Sequence, residues 1–515
     1  MSLAAGEKAK SEPLGSALAD DRGIITWAAL DEVLNRGTNA LMAEELGADR
    51  RVAVFARNGA ETVLAYLISL HAGVSAVPVS AQLVADEVVY ILEDSGARVL
   101  FAGPGTLDVA IDAAQRVGGI KVIAWRCEPR ASVTTWEDWL AAASASNPPT
   151  DMRPLPYLQY TSGTTGRPKA IDAVPATLPR APTVAGFFEA LREQSNFAGS
   201  GPLLVVGPLY HNAPLSSVRA LAAGVSLVVL DRFDAERALK AIDEHKVTGS
   251  VMVPTHFQRL LALPPEVRAK YDVSSLERVA HTGAACPREV KAAMIAWFGP
   301  ILMEAYGGTE SGTTNMITSE EWLKHPGSVG KTMEAFELQV IGEGGEQLGP
   351  NSVGQLFFKD KSGRGIIYRN DPDKTRAAHR EPGVFTLGEV GYFDDEGYVY
   401  ITDRVSDLIV SGGVNIYPAE TEHVLLTHPD VVDVVVIGVP NAEMGEEVKA
   451  LIIVKDPANA PTAETLIGYC RARLAGYKCP RTIDFVDDVG RNAIGKVNKK
   501  AVRAPYWPTD RTIGG

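Results

Sequence analysis

The amino-acid sequence predicts an α/β fold: a large N-terminal domain of doubly wound sheets with a β-rich subdomain, then a small α+β C-terminal domain. Three observations predict it. Strand-length apolar runs alternate with helical patterns from Trp27 to about Trp125, and the alternation resumes at Leu203. After Val340 the pattern breaks into short runs punctuated by Gly, Asp and Pro. At 515 residues the chain is too long for one ordinary core, so two or more lobes are expected.

In chain order, residues 26–46 read as helix, Arg51–Ala56 as a strand, Glu61–His71 as a helix and Val74–Val79 as a strand. A helix follows near Ala85–Glu93, then strand-length runs at Val99–Ala102 and Val122–Trp125. A polar, Pro-containing stretch, Ser144–Pro154, leads into a Gly/Thr-rich loop. Leu203–Val206 and Leu227–Leu230 are buried-strand patterns. Between Asp234 and Lys246, Ala235, Ala238, Leu239 and Ile242 fall at i, i+3, i+4 and i+7, the stripe of an amphipathic helix. Strands at Ser250–Val253 and Arg278–Ala280, a helix at Glu289–Trp297 and a strand at Ile301–Ala305 complete the alternation. The short runs Glu343–Pro350, Phe357–Asp360 and Tyr392–Tyr400 give the β-rich part. Strands near Val431–Ile437 and Ala450–Val454 and a helix near Ala463–Leu474 give the C-terminal unit.

Composition narrows the function. The net charge of −13 comes with no basic arm or stripe, which argues against a nucleic-acid binder. No run approaches the ~20 apolar residues of a membrane span, and the N-terminus lacks the apolar core of a signal peptide. Cys127, Cys286, Cys470 and Cys479 form no CxxC, so neither zinc nor a disulfide framework is expected, and a reduced, cytoplasmic protein is the economical reading.

The stretch with most chemistry is Tyr157–Ala170. An apolar run ends at Tyr160; Thr161, Ser162, Gly163, Thr164, Thr165 and Gly166 follow, then Arg167, Pro168 and Lys169. Glycines let backbone N–H groups approach an anion, hydroxyls add donors and a lysine adds charge, as a polyphosphate cradle requires. By itself the composition fits a flexible surface loop equally well. It is not a Walker A loop, because Gly163 and Gly166 are separated by two residues and a proline precedes the lysine. The chain also lacks a Gly-x-Ser-x-Gly elbow and a Gly-x-Gly-x-x-Gly fingerprint, which sets aside hydrolase and dehydrogenase readings.

Two further stretches accompany the loop in order, Tyr306-Gly-Gly-Thr-Glu310 and Ile401-Thr-Asp-Arg404. Together the three resemble the adenylate-forming superfamily, which holds acyl-CoA synthetases, free-standing adenylation domains and firefly luciferase; the resemblance runs from roughly Thr26 to Tyr506. It implies ATP, Mg²⁺ and coenzyme A as cofactors, and two domains, 1–404 for ATP and acid and 405–515 as a mobile lid.

The resemblance also implies roles. Thr161–Lys169 would cover the β- and γ-phosphates, Thr309 and Glu310 would meet phosphate and Mg²⁺, and Thr161 is a second metal candidate. Tyr306 and Gly307 would lie along adenine beside Gly283, Ala284 and Ala285; alone, Tyr306 would read as a core tyrosine at a strand end. Glu389 stands where the family usually has an aspartate for the ribose hydroxyls, with the same two acceptors on a longer stem. Arg404 would reach ribose or phosphate. Lys496, in Asn-Ala-Ile-Gly-Lys496, would stabilise charge on the α-phosphate, whereas Lys499 and Lys500 read as solvated surface. Ser406 holds the pivot position, usually Asp or Lys, and Ser411, Gly412 and Gly413 would face the pantetheine thiol after rotation.

His211, Met252, His256, Phe257, Ala284 and Gly308 are candidate acyl-pocket walls; a structural role for His211 is equally open. No aspartate stands ready for an amino group, which disfavours amino-acid activation. The implied reaction is acid activation to an acyl-adenylate, then CoA thioester formation with release of AMP. The resemblance of Asp407–Glu420 to fatty-acyl and bile-acid or steroid-side-chain ligases implies an apolar acid. Alternatives are an aryl-acid CoA ligase, an acyl-AMP ligase loading a carrier protein, or a non-catalytic scaffold; retention of Lys496, Glu310 and Arg404 argues against the last. The expected partners are the acid, ATP and CoA, with a homodimer left open.

Overall fold

The computed structural model describes residues 3–161, 168–171, 181–193, 200–283, 286, 288–342, 344–404, 409–416, 418–490, 497 and 499–507. Among the described residues, one sixteen-stranded sheet, two five-stranded sheets and a two-stranded ribbon carry the fold. The first sheet has five strands in the order Ser75–Val79, Arg51–Phe55, Val99–Ala102, Lys121–Ala124 and Val133–Thr135, all parallel. Its central strands are buried on both faces, as parallel strands covered by crossover helices must be. The helices Ala60–His71, Ala85–Ser95 and Leu107–Val117 supply that cover.

The second sheet has sixteen strands. Ser16–Asp20, Leu227–Val229, Leu203–Val205, Gly249–Met252, Arg278–His281 and Leu302–Gly308 lie side by side and parallel. From Gly312–Thr318 onward the pairing is antiparallel, through Gly330–Thr332, Tyr398–Arg404, Glu389–Phe393, Gly354–Asp360 and Phe336–Ile341. The β-rich part thus begins at Phe336 and continues the same sheet. The expected strand Ile301–Ala305 also runs further, to Gly308, because Gly312–Thr318 folds back on it. A Cβ on Gly307 would lie 2.0 Å from the Gly312 carbonyl oxygen, so only glycine permits that close turn.

The C-terminal sheet is built on the long hairpin Val431–Asn441/Gly445–Val454. Ile409–Ser411 pairs with Val414–Ile416 and meets the Gly445 end of Gly445–Val454, and Thr482–Phe485 runs parallel to the same strand further along the same edge. No helix among the described residues is long and apolar enough to cross a membrane, and the four cysteines are free.

The first and second sheets are joined by Asn58. This buried side chain follows the Arg51–Phe55 strand, donates to the carbonyls of Gly207 (2.9 Å) and Leu230 (3.1 Å), and accepts from the Leu209 amide (2.8 Å). Both carbonyls and the amide lie just beyond strands of the second sheet, so this amide group ties the two sheets together beside their shared apolar core.

Three histidines are buried and held neutral. Burial pushes His71 and His256 down to about 3 and His281 well below its usual range. An unfolded histidine titrates near 6.5, so below that pH the unfolded chain takes up protons the fold refuses. Stability present above pH 6.5 is therefore lost as pH falls towards 3, by up to about 1.4 kcal/mol per pH unit for each group. The His71 ring packs edge-on against Phe188 at 4.6 Å, and its Nε2 has no partner among the described residues. His71→Phe should therefore flatten the decline in urea midpoint between pH 7 and pH 5 by about one proton's worth; an unchanged slope would contradict a neutral His71.

Candidate active site

Four neighbouring parallel strands, Leu203–Val205, Gly249–Met252, Arg278–His281 and Leu302–Gly308, end on one side of the sheet. Open α/β sheets bind ligands outside the carboxyl ends of their strands. Here those ends open into a cleft of about 2420 Å³, which the C-terminal unit also lines.

Tyr306, Gly307, Gly308, Thr309 and Glu310 form one wall with Gly283 and Glu389. Gly283 adopts φ +89°, a left-handed turn after the Arg278–His281 strand. Ala284 and Ala285 lie outside the described residues. The Tyr306 hydroxyl donates to Glu389 Oε2 at 2.8 Å, which gives the unexpected glutamate a specific partner across the cleft wall. Strand register sets Glu389 opposite Arg404, whose side chain lies outside what is described.

Of the Gly/Thr-rich loop, Thr161 and Lys169 are described; Ser162, Gly163, Thr164, Thr165 and Gly166 are not. Thr161 and Lys169 pair across a two-stranded ribbon. The Thr161 hydroxyl lines the cleft, buried and without a partner among the described residues. Lys169 bonds Asp371 at 2.8 Å and holds that carboxyl below its usual range. Tyr368 donates to Glu310 Oε1 at 3.3 Å, and the Lys374 ammonium lies 4.0 Å from the Tyr368 ring centre. Burial lowers Lys374, and the nearby Glu310 charge opposes that shift. Sequence reading missed Tyr368, Asp371 and Lys374: Asp-Pro-Asp-Lys374 reads simply as a capped helix start, and Asp371 does cap it through the Lys374 amide.

The acyl side is mixed. His211 is the N-cap residue of the helix Asn212–Ala222 and opens onto the cleft. Its side chain is exposed to the cleft, and desolvation by the surrounding walls pushes the imidazole down to about 4, so it is neutral at pH 7. Met252 and Gly308 line the cleft, as does His256, whose ring stacks on Phe233 at 4.1 Å. Phe257 does not: it is fully buried in the core and meets His281 edge-on at 5.3 Å. One residue further round the Pro254–Leu261 helix turns its side chain away from the cleft and towards Leu260 and the core. The same cleft is also lined by Arg219, which the sequence gave no reason to select.

Ser411, Gly412 and Gly413 form the turn between Ile409–Ser411 and Val414–Ile416. Ser411 is buried, while Gly412 (φ +57°) and Gly413 (φ +79°) line the cleft. A Cβ on Gly413 would stand 3.4 Å from Val253 Cγ2, so the C-terminal unit brings this turn against the end of the Gly249–Met252 strand. Lys496 and Ser406 lie outside the described residues.

A buried lysine takes part in holding this placement. Lys478 bonds Glu420 (2.7 Å) in its own unit and Glu87 (2.9 Å) on the Ala85–Ser95 helix of the first sheet's cover. The Ala475 amide also donates to Glu87, at 3.1 Å. Burial acts to lower the Lys478 ammonium, but Tyr477, Glu420 and Glu87 outweigh it and hold the group charged.

Two family models match the chain: AMP-binding enzyme over residues 6–363 and AMP-binding enzyme C-terminal domain over residues 420–496. A long-chain-fatty-acid–CoA ligase of Mycobacterium tuberculosis is 32% identical over 94% of each chain. A 3-[(3aS,4S,7aS)-7a-methyl-1,5-dioxo-octahydro-1H-inden-4-yl]propanoyl:CoA ligase of the same species is also 32% identical over 94% of each chain. Among solved structures, a double mutant of the Bacillus subtilis o-succinylbenzoate CoA synthetase with a product analogue is 26% identical, covers 99% of each chain and superposes with a TM-score of 0.79. The same synthetase with its acyl-adenylate intermediate, covering 100% of this chain and 99% of its own, gives 0.64. Of these two, the product-analogue structure superposes more closely on the present one.

Lys478→Met would leave Glu87 and Glu420 as buried, unpaired carboxylates. Hydrogen exchange should then accelerate both at the Ala475 amide and around residues 84–88, with the Arg51–Phe55 strand unchanged. Unaltered protection at Ala475 would show that Lys478 does not hold the two units together.

Proposed function

This chain belongs to the AMP-binding enzymes, and we propose that it is an ATP-dependent acid–CoA ligase that runs two steps in one cleft. The observation that carries the reading is the meeting of the Tyr306–Glu310 wall with the Gly412–Gly413 turn across that cleft. One is suited to a nucleotide, the other to a thiol that needs close backbone approach.

In the first step an oxygen of the substrate carboxylate attacks the α-phosphorus of ATP, the bond to the β-phosphate oxygen breaks, and pyrophosphate leaves. Tyr306 and Gly283 flank the adenine, Glu389 accepts from the ribose hydroxyls with Arg404 nearby, and Thr161–Lys169 with Lys374 offset the negative charge of the phosphates. Thr161 and Glu310 present hard oxygen donors that fit Mg²⁺, which when bound neutralises charge on the phosphate oxygens. Lys496 stabilises charge on the α-phosphate. In the second step the CoA sulfur attacks the acyl carbonyl, the bond to the adenylate oxygen breaks, and AMP leaves. The domains divide at 404/405, with Ser406 as the pivot, and the lid turns between the steps so that first Lys496 and then Gly412–Gly413 face the reacting atoms. The protein acts in the cytoplasm.

The fatty-acyl and indane-propanoyl ligases among its relatives support a largely hydrocarbon acid as the substrate. His211, Met252 and Gly308 are the walls it meets first, and a neutral His211 leaves the reacting carboxylate free of a fixed cation.

Mass spectrometry of products made from ATP, Mg²⁺ and a panel of acids tests the reaction. AMP, pyrophosphate and an acyl-CoA are expected; acyl-adenylate that accumulates and ignores CoA would instead indicate transfer to a carrier protein. Lys496→Ala should abolish acyl-adenylate formation yet convert supplied acyl-adenylate to thioester, and equal loss of both would remove Lys496 from its role. Glu389→Asp tests the ribose contact: it shortens the reach to Tyr306 and should raise the KM for ATP by about tenfold, the cost of one charge-assisted hydrogen bond.

A further inference from the structure

Arg219 lies on the Asn212–Ala222 helix, two turns beyond His211, and lines the same cleft. Asn212, Ser216 and Arg219 fall at i, i+4 and i+7, so they form one face of the helix, and all three line the cleft. The opposite face, with Val218 and Leu221, is buried in the core. The helix therefore presents a polar stripe to the cavity, ending on a cation.

Arg219 is half-buried where it meets the cleft, and desolvation by the surrounding protein lowers it from its usual range. A guanidinium stays charged at any accessible pH and offers five donors in a planar fork. Its partner is the face of Tyr157, with the guanidinium carbon 5.8 Å from the ring centre. Tyr157 is itself buried, edge-on to Tyr66 at 5.6 Å, so the cation rests on a rigid aromatic floor. No carboxylate or carbonyl accepts a hydrogen bond from Arg219 among the described residues. Other buried cations here are neutralised: Lys478 by two carboxylates and Lys291 by Glu304 at 2.5 Å. A half-buried charge that faces a cavity without a counter-group is stabilised by an acceptor that enters the cavity.

Resting on the ligase reading, we propose that Arg219 is a specificity-determining residue that binds a second oxygen acceptor, a carbonyl or carboxylate, at the distal end of the acid. The substrate is then a carbon skeleton with an oxygen function at each end. Eight residues of helix separate His211 from Arg219, and long side chains lean back towards the N-terminus, so the second acceptor sits roughly 8–10 Å from the reacting carboxyl.

The experiment compares octanoate, 7-oxooctanoate and octanedioate, which have equal chain lengths, by CoA-dependent AMP release in wild type, Arg219→Met and Arg219→Lys. Wild type should favour the two oxygenated acids over octanoate in kcat/KM. Arg219→Met should lower that preference by about 10- to 100-fold, the range for one charge-assisted hydrogen bond. Arg219→Lys, which keeps the charge, should retain part of the preference for octanedioate. Loss for octanedioate alone identifies an anionic group, and loss for both identifies any acceptor oxygen. The readout is a ratio between acids, so a merely structural role, which lowers all three together, would leave it unmoved. A wild type that prefers octanoate, or a ratio unchanged in Arg219→Met, overturns the assignment even if the variant is poorly folded. Absence of AMP release with every acid overturns the ligase reading itself, and this inference with it.

Discussion

The two sheets that frame the site meet across a shared apolar core and one buried amide, that of Asn58. Asn58 bonds two carbonyls and one amide of the facing sheet, and those backbone groups stand just past the strands that floor the cleft. A buried primary amide with both donors and its acceptor engaged cannot slide without leaving a polar group unsatisfied. The carboxyl ends of the Arg51–Phe55 and Leu203–Val205 strands are thus fixed relative to each other. Everything that lines the cavity, from Tyr306 to Arg219, inherits its position from that spacing.

The C-terminal unit is positioned by different physics. Its own core packs around the hairpin Val431–Asn441/Gly445–Val454, and its hold on the larger body includes charged groups: Lys478 with Glu87, and the exposed pair Arg259–Glu443 at 3.2 Å. Apolar burial contributes as well, because Ala475 is buried in the core of the first sheet and Tyr477 packs against it.

Much of the fold was legible in the sequence because buried parallel strands are apolar runs and their helices are amphipathic. Arg51–Phe55, Ser75–Val79 and Ala235–His245 appear within a residue or so of where the patterns set them. What escaped was non-local. Gly312–Thr318 carries threonines, an asparagine and a glycine, and nothing local announces that it pairs back on Leu302–Gly308. The site divides in the same way. Tyr306–Glu310 and Gly412–Gly413 are recognisable as short contiguous runs, and both line the cleft. Arg219, Lys374 and Lys478 are single cations on ordinary helices or turns, and their importance comes from what surrounds them. Phe257 errs the other way: an aromatic next to a cleft residue suggests a pocket wall, but a step of 100° round the helix sends it to the core.

The Lys478 contact has a consequence for how the protein responds to its solvent. An ammonium and two carboxylates are almost dry in this contact, and separating the units would require each to gather a hydration shell. Such a separation would consume water molecules as a reactant does. Solutes excluded from protein surfaces, which lower the activity of water, would oppose it and favour the contact seen here. The hold between the units is thereby tied to the osmotic state of the surroundings through Lys478, Glu87 and Glu420.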